Sequence, residues 1–285
     1  MGFFDWIIGK SEKKLKDLCS FLKVSENEIR QIYPEYREFS LAKRSGGSRR
    51  IFSPSESLKA IQNRIKDRLL GHLGSHKSCR GFESGESIVT NALSHVDKAV
   101  IIKIDVRDFF HSTTSERIEC YFRKIGWNKE SAKLLTQLTT YNGFLPQGAP
   151  TSPRLSNLVN YRLDARLDGL AKSLDADYTR YADDMTFSLS ADDPVKIQLI
   201  LSSTRKILLE YGYRPNKKKL KVLRQHQQQK VTGLIVNKKL QLPRQKRKWL
   251  RAVKHRLLTT GRCSLSPKQL QGWNGLEKMV QAKKK

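Results

Sequence analysis

Two carboxylates stand side by side at Asp183 and Asp184, in the string Arg180-Tyr181-Ala182-Asp183-Asp184-Met185. A third, Asp105, ends the apolar run Ala99-Val100-Ile101-Ile102-Lys103-Ile104. Taken alone, the adjacent pair reads as a solvated turn, because Asp is common there. If the apolar run pairs with a hairpin that carries Asp183-Asp184 at its tip, three carboxylates converge at one end of a sheet. Such a cluster is tolerable when divalent cations neutralise it. Oxygen ligands suit Mg²⁺, which takes one or two carboxylates together with substrate phosphates. Two such ions ~3.5–4 Å apart support in-line phosphoryl transfer. Asp108, three residues past Asp105, is expected to face elsewhere. Thiolate or imidazole metal chemistry is not indicated. Cys19, Cys79, Cys120 and Cys263 are far apart, with no Cys-x-x-Cys pair. The six histidines read as structural.

The elements that must position these acids follow from periodicity. Residues 99–104 read as a buried strand. Residues 177–189 read as two strands around a tight turn, with Met185, Phe187 and Leu189 alternating with Thr186 and Ser188. Helices are predicted over about 114–124, 129–139 and 194–211, and after the rigid Pro146–Pro153 turn. Gly46-Gly47 marks a hairpin within the basic stretch 40–54, followed by an amphipathic helix with Leu58, Ile61, Ile65 and Leu69 on one stripe. The first thirty-odd residues look helical, with a capping box from Ser25 to Glu28, until Pro34 breaks the pattern. Short strands flank Lys217–Lys221 and Val231–Val236, and the last forty residues read as basic helices. The class is α+β.

The chain has 285 residues and a formal net charge of +28. Residues 214–285 hold 22 Lys/Arg against one acid, Glu277. A charge so distributed calls for a polyanion, and nucleic acid is the default partner. Arg244, Lys246, Arg247, Lys248, Arg251, Lys254 and Arg256 surround Trp249, Leu250, Val253 and Leu257. That pattern suits a helix with an apolar side packed inward and a basic side tracking phosphates. RNA duplexes are read by shape and backbone, so no base-reading code is needed. No run approaches the roughly 18 apolar residues of a membrane span, and Met1-Gly2-Phe3-Phe4-Asp5-Trp6 has no signal-peptide pattern. A cytoplasmic, reducing location is expected.

Asp105 followed by Phe110, then Leu145-Pro146-Gln147-Gly148-Ala149-Pro150-Thr151-Ser152-Pro153, then Tyr181-Ala182-Asp183-Asp184, resembles the ordered palm motifs of reverse transcriptases. Asn91-Ala92-Leu93-Ser94-His95 and Val231-Thr232-Gly233 resemble elements of the retron branch. The resemblance covers about residues 40–275. It implies a right-hand polymerase: a helical N-terminal extension (1–33), fingers and palm (34–237) and a basic helical thumb (238–285). It implies that Asp105 and Asp183 coordinate two Mg²⁺ ions, for which Mn²⁺ can substitute, with Asp184 as the third acidic member. Phe110 would be the steric gate against the sugar 2′ position, with Phe109 beside it a core residue. Gln147 and Gly148 would border the nucleotide and template. Arg49 or Arg50 would grip the triphosphate, and the sequence leaves open which. Lys219 would stand near the departing pyrophosphate as general acid, with the register of Lys217-Lys218-Lys219 left open. Asn91, His95, Val231, Thr232 and Gly233, with Arg247, Lys248, Arg251 and Lys254, would help meet RNA.

The resemblance further implies dNTP substrates and a cognate structured non-coding RNA as template and primer. The product would be a branched, RNA-linked single-stranded DNA, made in antiphage defence with an effector or toxin protein. Two alternatives remain at this stage: a group II intron or diversity-generating reverse transcriptase, and a polymerase fold that only binds structured RNA. Three clustered negative charges beside RNA would serve such a binder poorly.

Overall fold

The computed structural model describes residues 12–42 and 46–282. The start of the N-terminal extension, residues 43–45 of the basic stretch and the last three lysines lie outside the described residues. In chain order the elements are α1 (Leu15–Leu22), α2 (Glu26–Gln31), β1 (Tyr36–Ala42), β2 (Ser48–Pro54), α3 (Glu56–Arg64) with a π-helical turn Ile65–Leu70, α4 (Ile88–Leu93), β3 (Val100–Asp105), α5 (Ser115–Lys124) and α6 (Lys129–Thr139). There follow α7 (Ser152–Val159), α8 (Tyr161–Ser173), β4 (Ala176–Tyr181), β5 (Asp184–Leu189), α9 (Pro194–Glu210), β6 (Lys221–Arg224), β7 (Lys230–Val231), β8 (Leu234–Ile235), α10 (Arg244–Thr260) and α11 (Pro267–Ala282). The mixed helix and sheet content agrees with the α+β class. The chain divides into two units.

The first unit takes residues 1–76, 107–163 and 209–214. Its core is helical. Leu18 and Leu22 of α1 pack with Leu58, Ile61 and Ile65 of the amphipathic stripe and with Ile118, Phe122 and Leu135 of α5 and α6. Each such side chain contributes about 1.5–3 kcal/mol when fully buried. Local signals start the helices: Thr114 caps α5, and Asn128 Oδ1 accepts from the Ser131 N–H at 2.9 Å to cap α6. Ser25 Oγ accepts from the Glu28 N–H at 3.1 Å. The return arm of the expected capping box is not seen; the Glu28 carboxylate lies 3.6 Å from Arg64 instead. β1 and β2 pair antiparallel around Gly46-Gly47, whose φ of 86° and 79° favour glycine. Most of this hairpin is exposed.

The second unit takes residues 77–106, 164–208 and 215–285. Its centre is a four-stranded antiparallel sheet in the order β4-β5-β3-β6. β3 is interior, paired along both edges, and it is buried along nearly its whole length, so its sequence is a nearly continuous apolar run rather than an alternating one. A second core joins α4 and β3 to the β7–β8 hairpin and the basic helices. Val89 and Ala92 pack with Ile101, Val231, Leu234, Leu250 and Val280. Leu250 and Val253 are the buried residues of α10, as its apolar spacing predicts. Trp249 and Trp273 meet edge-on with ring centres 5.3 Å apart, under Lys246.

Candidate active site

Strand register does the first part of the work. β3 pairs with β5 so that Asp105 stands directly opposite Asp184. The β4–β5 turn is formed by Ala182 and Asp183, and the Val106 N–H donates to the Asp183 carbonyl at 3.0 Å. The three acids predicted from sequence therefore meet at one end of the sheet. Like charges directly across a strand pair repel, and two lysines offset this. Lys219 Nζ donates to Asp105 Oδ1 at 2.7 Å, and Lys103 Nζ to Asp184 Oδ2 at 3.4 Å. Asn216 fixes Asp105 from both chain and side chain: its N–H donates to the Asp105 carbonyl at 2.7 Å and its amide to Oδ2 at 3.3 Å. Of the three adjacent lysines, then, Lys219 is the one that reaches the acids.

Electrostatics single out Asp183. Burial, and then the nearby charge of Asp105, push its carboxyl above the usual carboxylate range. The hydrogen bond to Asp105 raises the Lys219 ammonium above its ordinary value, so it is a cation at neutral pH. Among the described residues no three metal-ligating side chains close into a ready-made cage. A Mg²⁺ ion that keeps waters and substrate phosphates needs only one or two carboxylates. The donor set is all oxygen, and the burial of a charge and the repulsion from Asp105 that together raise Asp183 are what a divalent cation would offset. The residues fit such an ion.

The other expected site residues lie in the first unit. Phe109 is buried, stacked on Tyr213 at 5.5 Å, while Phe110 is only partly buried. Residues 107–112 form turns, and the difference in burial arises there. Gly148 has φ 125°, and a Cβ on it would meet the Phe52 carbonyl at 2.8 Å and Ile51 Cγ2 at 2.9 Å. The close neighbour it admits is the β2 backbone. Beside it, the Gln147 carbonyl accepts from the Phe52 N–H at 2.8 Å, and the Gln147 side chain is half-buried. Arg50 is already engaged: its guanidinium donates to both oxygens of Glu38, at 2.5 and 3.0 Å, and lies over the Phe52 ring. Arg49 alternates to the other face of β2 and is exposed.

The residues expected to meet RNA separate into two groups. Asn91, His95 and Val231 are buried, which corrects the expectation that they form an RNA-facing surface. His95 bridges two strands, with Nδ1 2.8 Å from Ser188 Oγ and Nε2 2.7 Å from Thr179 Oγ1. Thr232 and Gly233 make a two-residue turn with φ of 44° and 89°, both positive as in a type I′ hairpin. Thr232 Oγ1 donates to the Ile88 carbonyl at 2.8 Å. The two short strings that seemed separate signals thus belong to one packed assembly. Arg247, Lys248 and Arg251 are exposed on α10. Lys248 and Arg251, with His255 and Arg256, line an open hollow of about 470 Å³. Lys254 is tied to Glu277 at 2.6 Å. Sequence reasoning missed Lys103 and Asn216. A lone lysine in an apolar strand, two residues before Asp105 and so on the same face, was the available signal for Lys103.

The reverse transcriptase (RNA-dependent DNA polymerase) family model matches residues 41–236. The retron Mx65 reverse transcriptase of Myxococcus xanthus is 38% identical over 77% of this chain and 55% of its own length. The retron Mx162 reverse transcriptase of the same organism is 37% identical over 71% of this chain, which spans 47% of that relative. The chain thus covers about half the length of these two. The retron Ec86 reverse transcriptase of Escherichia coli is 35% identical over 91% of this chain and 82% of its own length. In fold, the chain is similar to telomerase from Candida albicans solved with a fragment of telomeric RNA, with a TM-score of 0.55 at 12% identity, over 91% of this chain and 57% of that one.

Proposed function

The chain belongs to the reverse transcriptase family, with retron reverse transcriptases among its relatives, and from that premise we propose that it synthesises DNA on an RNA template as a retron enzyme. Its fold class is that of a right-hand polymerase. The observation that carries the reading is the register that sets Asp105 opposite Asp184 with Asp183 in the adjoining turn. We assign residues 1–33 to a helical extension, 34–237 to fingers and palm, and 238–285 to a basic thumb.

Asp105 and Asp183 hold two divalent ions, Mg²⁺ or in its place Mn²⁺, and Asp184, paired with Lys103, completes the acidic set. When bound, such ions supply Lewis acidity and charge neutralisation at the phosphorus under attack. Lys219 holds a proton on Nζ and delivers it to the departing pyrophosphate, as a general acid does. Arg49, whose guanidinium is not committed to Glu38, grips the triphosphate of the incoming dNTP; bidentate guanidinium–phosphate contacts fit that task. Phe110 screens the sugar 2′ position. Gln147 and Gly148 border the nucleotide. Arg247, Lys248 and Arg251 track RNA phosphates. The substrates are dNTPs and a structured non-coding RNA serving as template and primer, which leaves a branched RNA–DNA product. The four free cysteines suit a cytoplasmic enzyme, and the relatives suggest an antiphage role with an effector protein.

The test is Mg²⁺-dependent primer extension by Asp183→Asn. Synthesis should fall by at least about three orders of magnitude, the loss of several kcal/mol of charge stabilisation, while RNA affinity in a gel shift stays at the wild-type level. Wild-type extension rates in this variant would overturn the assignment.

A further inference from the structure

The largest fully buried side chain among the described residues is not apolar. It is Arg180, at the end of β4, just before the turn that carries Asp183. Its guanidinium forks onto Asp164 of α8, with Nε donating to Oδ1 at 2.8 Å and Nη2 to Oδ2 at 2.6 Å, and both residues are fully enclosed. An enclosed ion pair is weak evidence for stability, because desolvation offsets much of the attraction. Its geometry points to another use. The remaining arm, Nη1, donates to the Ala182 carbonyl at 3.1 Å. That carbonyl belongs to the peptide plane leading into Asp183. Ala182 has φ 58°, a left-handed conformation disfavoured for a residue with a Cβ, and Asp183 is not among the positive-φ residues. A positive φ at the first turn position alone is the pattern of a type II′ hairpin, where glycine is usual. The turn therefore adopts a backbone its own sequence resists.

A second contact closes on the preceding peptide, Tyr181–Ala182, on the other side of the left-handed residue. Residues 78–81 run beside β4, where the Arg180 N–H donates to the Ser78 carbonyl and the Arg80 N–H to the Arg180 carbonyl, each at 2.8 Å. Gly81 ends this segment. A Cβ there would stand 2.7 Å from the Ala182 nitrogen and 3.2 Å from the Tyr181 carbonyl carbon, both backbone atoms that cannot swing aside. Only glycine lets the segment lie this close to the turn.

We propose that Arg180, oriented by Asp164, and Gly81 are positioning residues that hold the two peptides flanking Ala182, Ala182–Asp183 and Tyr181–Ala182 respectively, and with them the direction in which Asp183 presents its carboxylate to a divalent ion. This rests on the reading of Asp105 and Asp183 as the metal-holding pair. None of the three residues touches substrate. They act through the backbone of the turn, and the left-handed Ala182 is the conformation they impose.

The test uses the full chain and three variants. Arg180→Lys keeps a charge for Asp164 and loses the fork that also reaches Ala182. Gly81→Ala leaves the ion pair intact and presses on the turn from the other side. Tyr178→Phe removes the hydroxyl that donates to Asp164 Oδ1 at 3.0 Å and has no tie to the turn. The readouts are Mn²⁺ affinity by electron paramagnetic resonance, kcat and KM for dNTP per active site, and Tm. Arg180→Lys and Gly81→Ala should each lower Mn²⁺ affinity and kcat about 10–100-fold, with KM for dNTP and RNA affinity unchanged. Tyr178→Phe should lower Tm and move neither quantity. If Arg180→Lys does not fold, Gly81→Ala decides. Wild-type Mn²⁺ affinity and kcat in the folded variants would overturn the inference, whatever happens to Tm. A wild-type chain that binds Mn²⁺, weakens in these variants and yet extends no primer would overturn the polymerase reading and leave the positioning of Asp183 standing.

Discussion

Two antiparallel hairpins, one in each unit, carry opposite charges and are built by opposite means. The β4–β5 hairpin carries acids, and its strands are mostly enclosed. Its side chains are fixed by the sheet, by His95 and by the Arg180–Asp164 pair. The β1–β2 hairpin carries bases, has the same antiparallel pairing, and leaves most of its residues in solvent. The difference teaches where each chemical task can be housed. On the proposed reading, carboxylates that hold metals must stay in place to within a fraction of an ångström, and these stand on backbone that packing over-determines. On the same reading, a guanidinium that closes on a diffusing triphosphate must move, and Arg49 stands on the exposed part of a hairpin that packs only near Phe52. The same contrast predicts the readout of mutation: stability for the acidic hairpin, substrate affinity for the basic one.

The largest effect on stability is expected at His95, which bridges the two strands of the acidic hairpin. Burial lowers the His95 imidazole to about 3, and both its nitrogens are committed to Thr179 and Ser188. A folded-state value below the unfolded one, ~6.5, means that the unfolded chain binds the extra proton as pH falls. Stability attributable to His95 is thus fully present above about pH 6.5 and is lost progressively toward pH 3, at ~1.4 kcal/mol per pH unit and several kcal/mol in all. Urea midpoints of wild type and His95→Gln from pH 7 to pH 4 check this. The wild type should fall more steeply than the variant, and parallel curves would contradict the assignment.

The second contrast lies between neighbours in sequence. Phe109→Val should cost about 2–4 kcal/mol, because it opens a cavity against Tyr213. Phe110→Val should cost less stability and raise ribonucleotide use, read as the ratio of kcat/KM for dNTP over rNTP. A ratio that shifts in Phe109→Val but not in Phe110→Val would place the gate one residue earlier.

The smallest effects are expected on the basic hairpin. Arg49→Ala should raise KM for dNTP about tenfold, the ~1.4 kcal/mol typical of a charge-assisted contact, with Tm unchanged. Arg50→Ala should change KM less, because its guanidinium already answers Glu38. An equal rise in both variants would mean that the Glu38 pair opens when nucleotide arrives.

The acidic constellation was legible in sequence because each part of it is local. A bounded apolar run, an alternating run and a two-residue turn predict β3, β4 and β5 within a residue or so of where they stand. Two strands that share a face then bring Asp105 to Asp184. What escaped the sequence is set by contacts between distant segments. Asp164 and Arg180 lie on different elements with no periodic relation, and nothing local says that an acid beside Leu163 turns inward to meet an arginine. Asn91 and His95 were visible as a short string, but such a string carries no information on burial. His95 is polar yet fully enclosed, because Ser188 and Thr179 satisfy it. The choice between Arg49 and Arg50 turned on Glu38, which only the register of β1 against β2 brings near.

The strand order β4-β5-β3-β6 has a consequence for how the chain leaves the ribosome. The strand bearing Asp105 is synthesised first of the four and lies between partners that come much later, β5 ending at Leu189 and β6 at Arg224. Bacterial-type elongation at ~5–20 residues per second leaves it waiting on the order of ten seconds for its second neighbour. Through that interval Val100–Ile104 is an apolar segment with both edges unsatisfied, the pattern that invites association between nascent chains. The sheet that gathers the acids can therefore close only late in translation, and yield in expression should respond to chaperone supply and to slower synthesis more than to anything done to the finished chain.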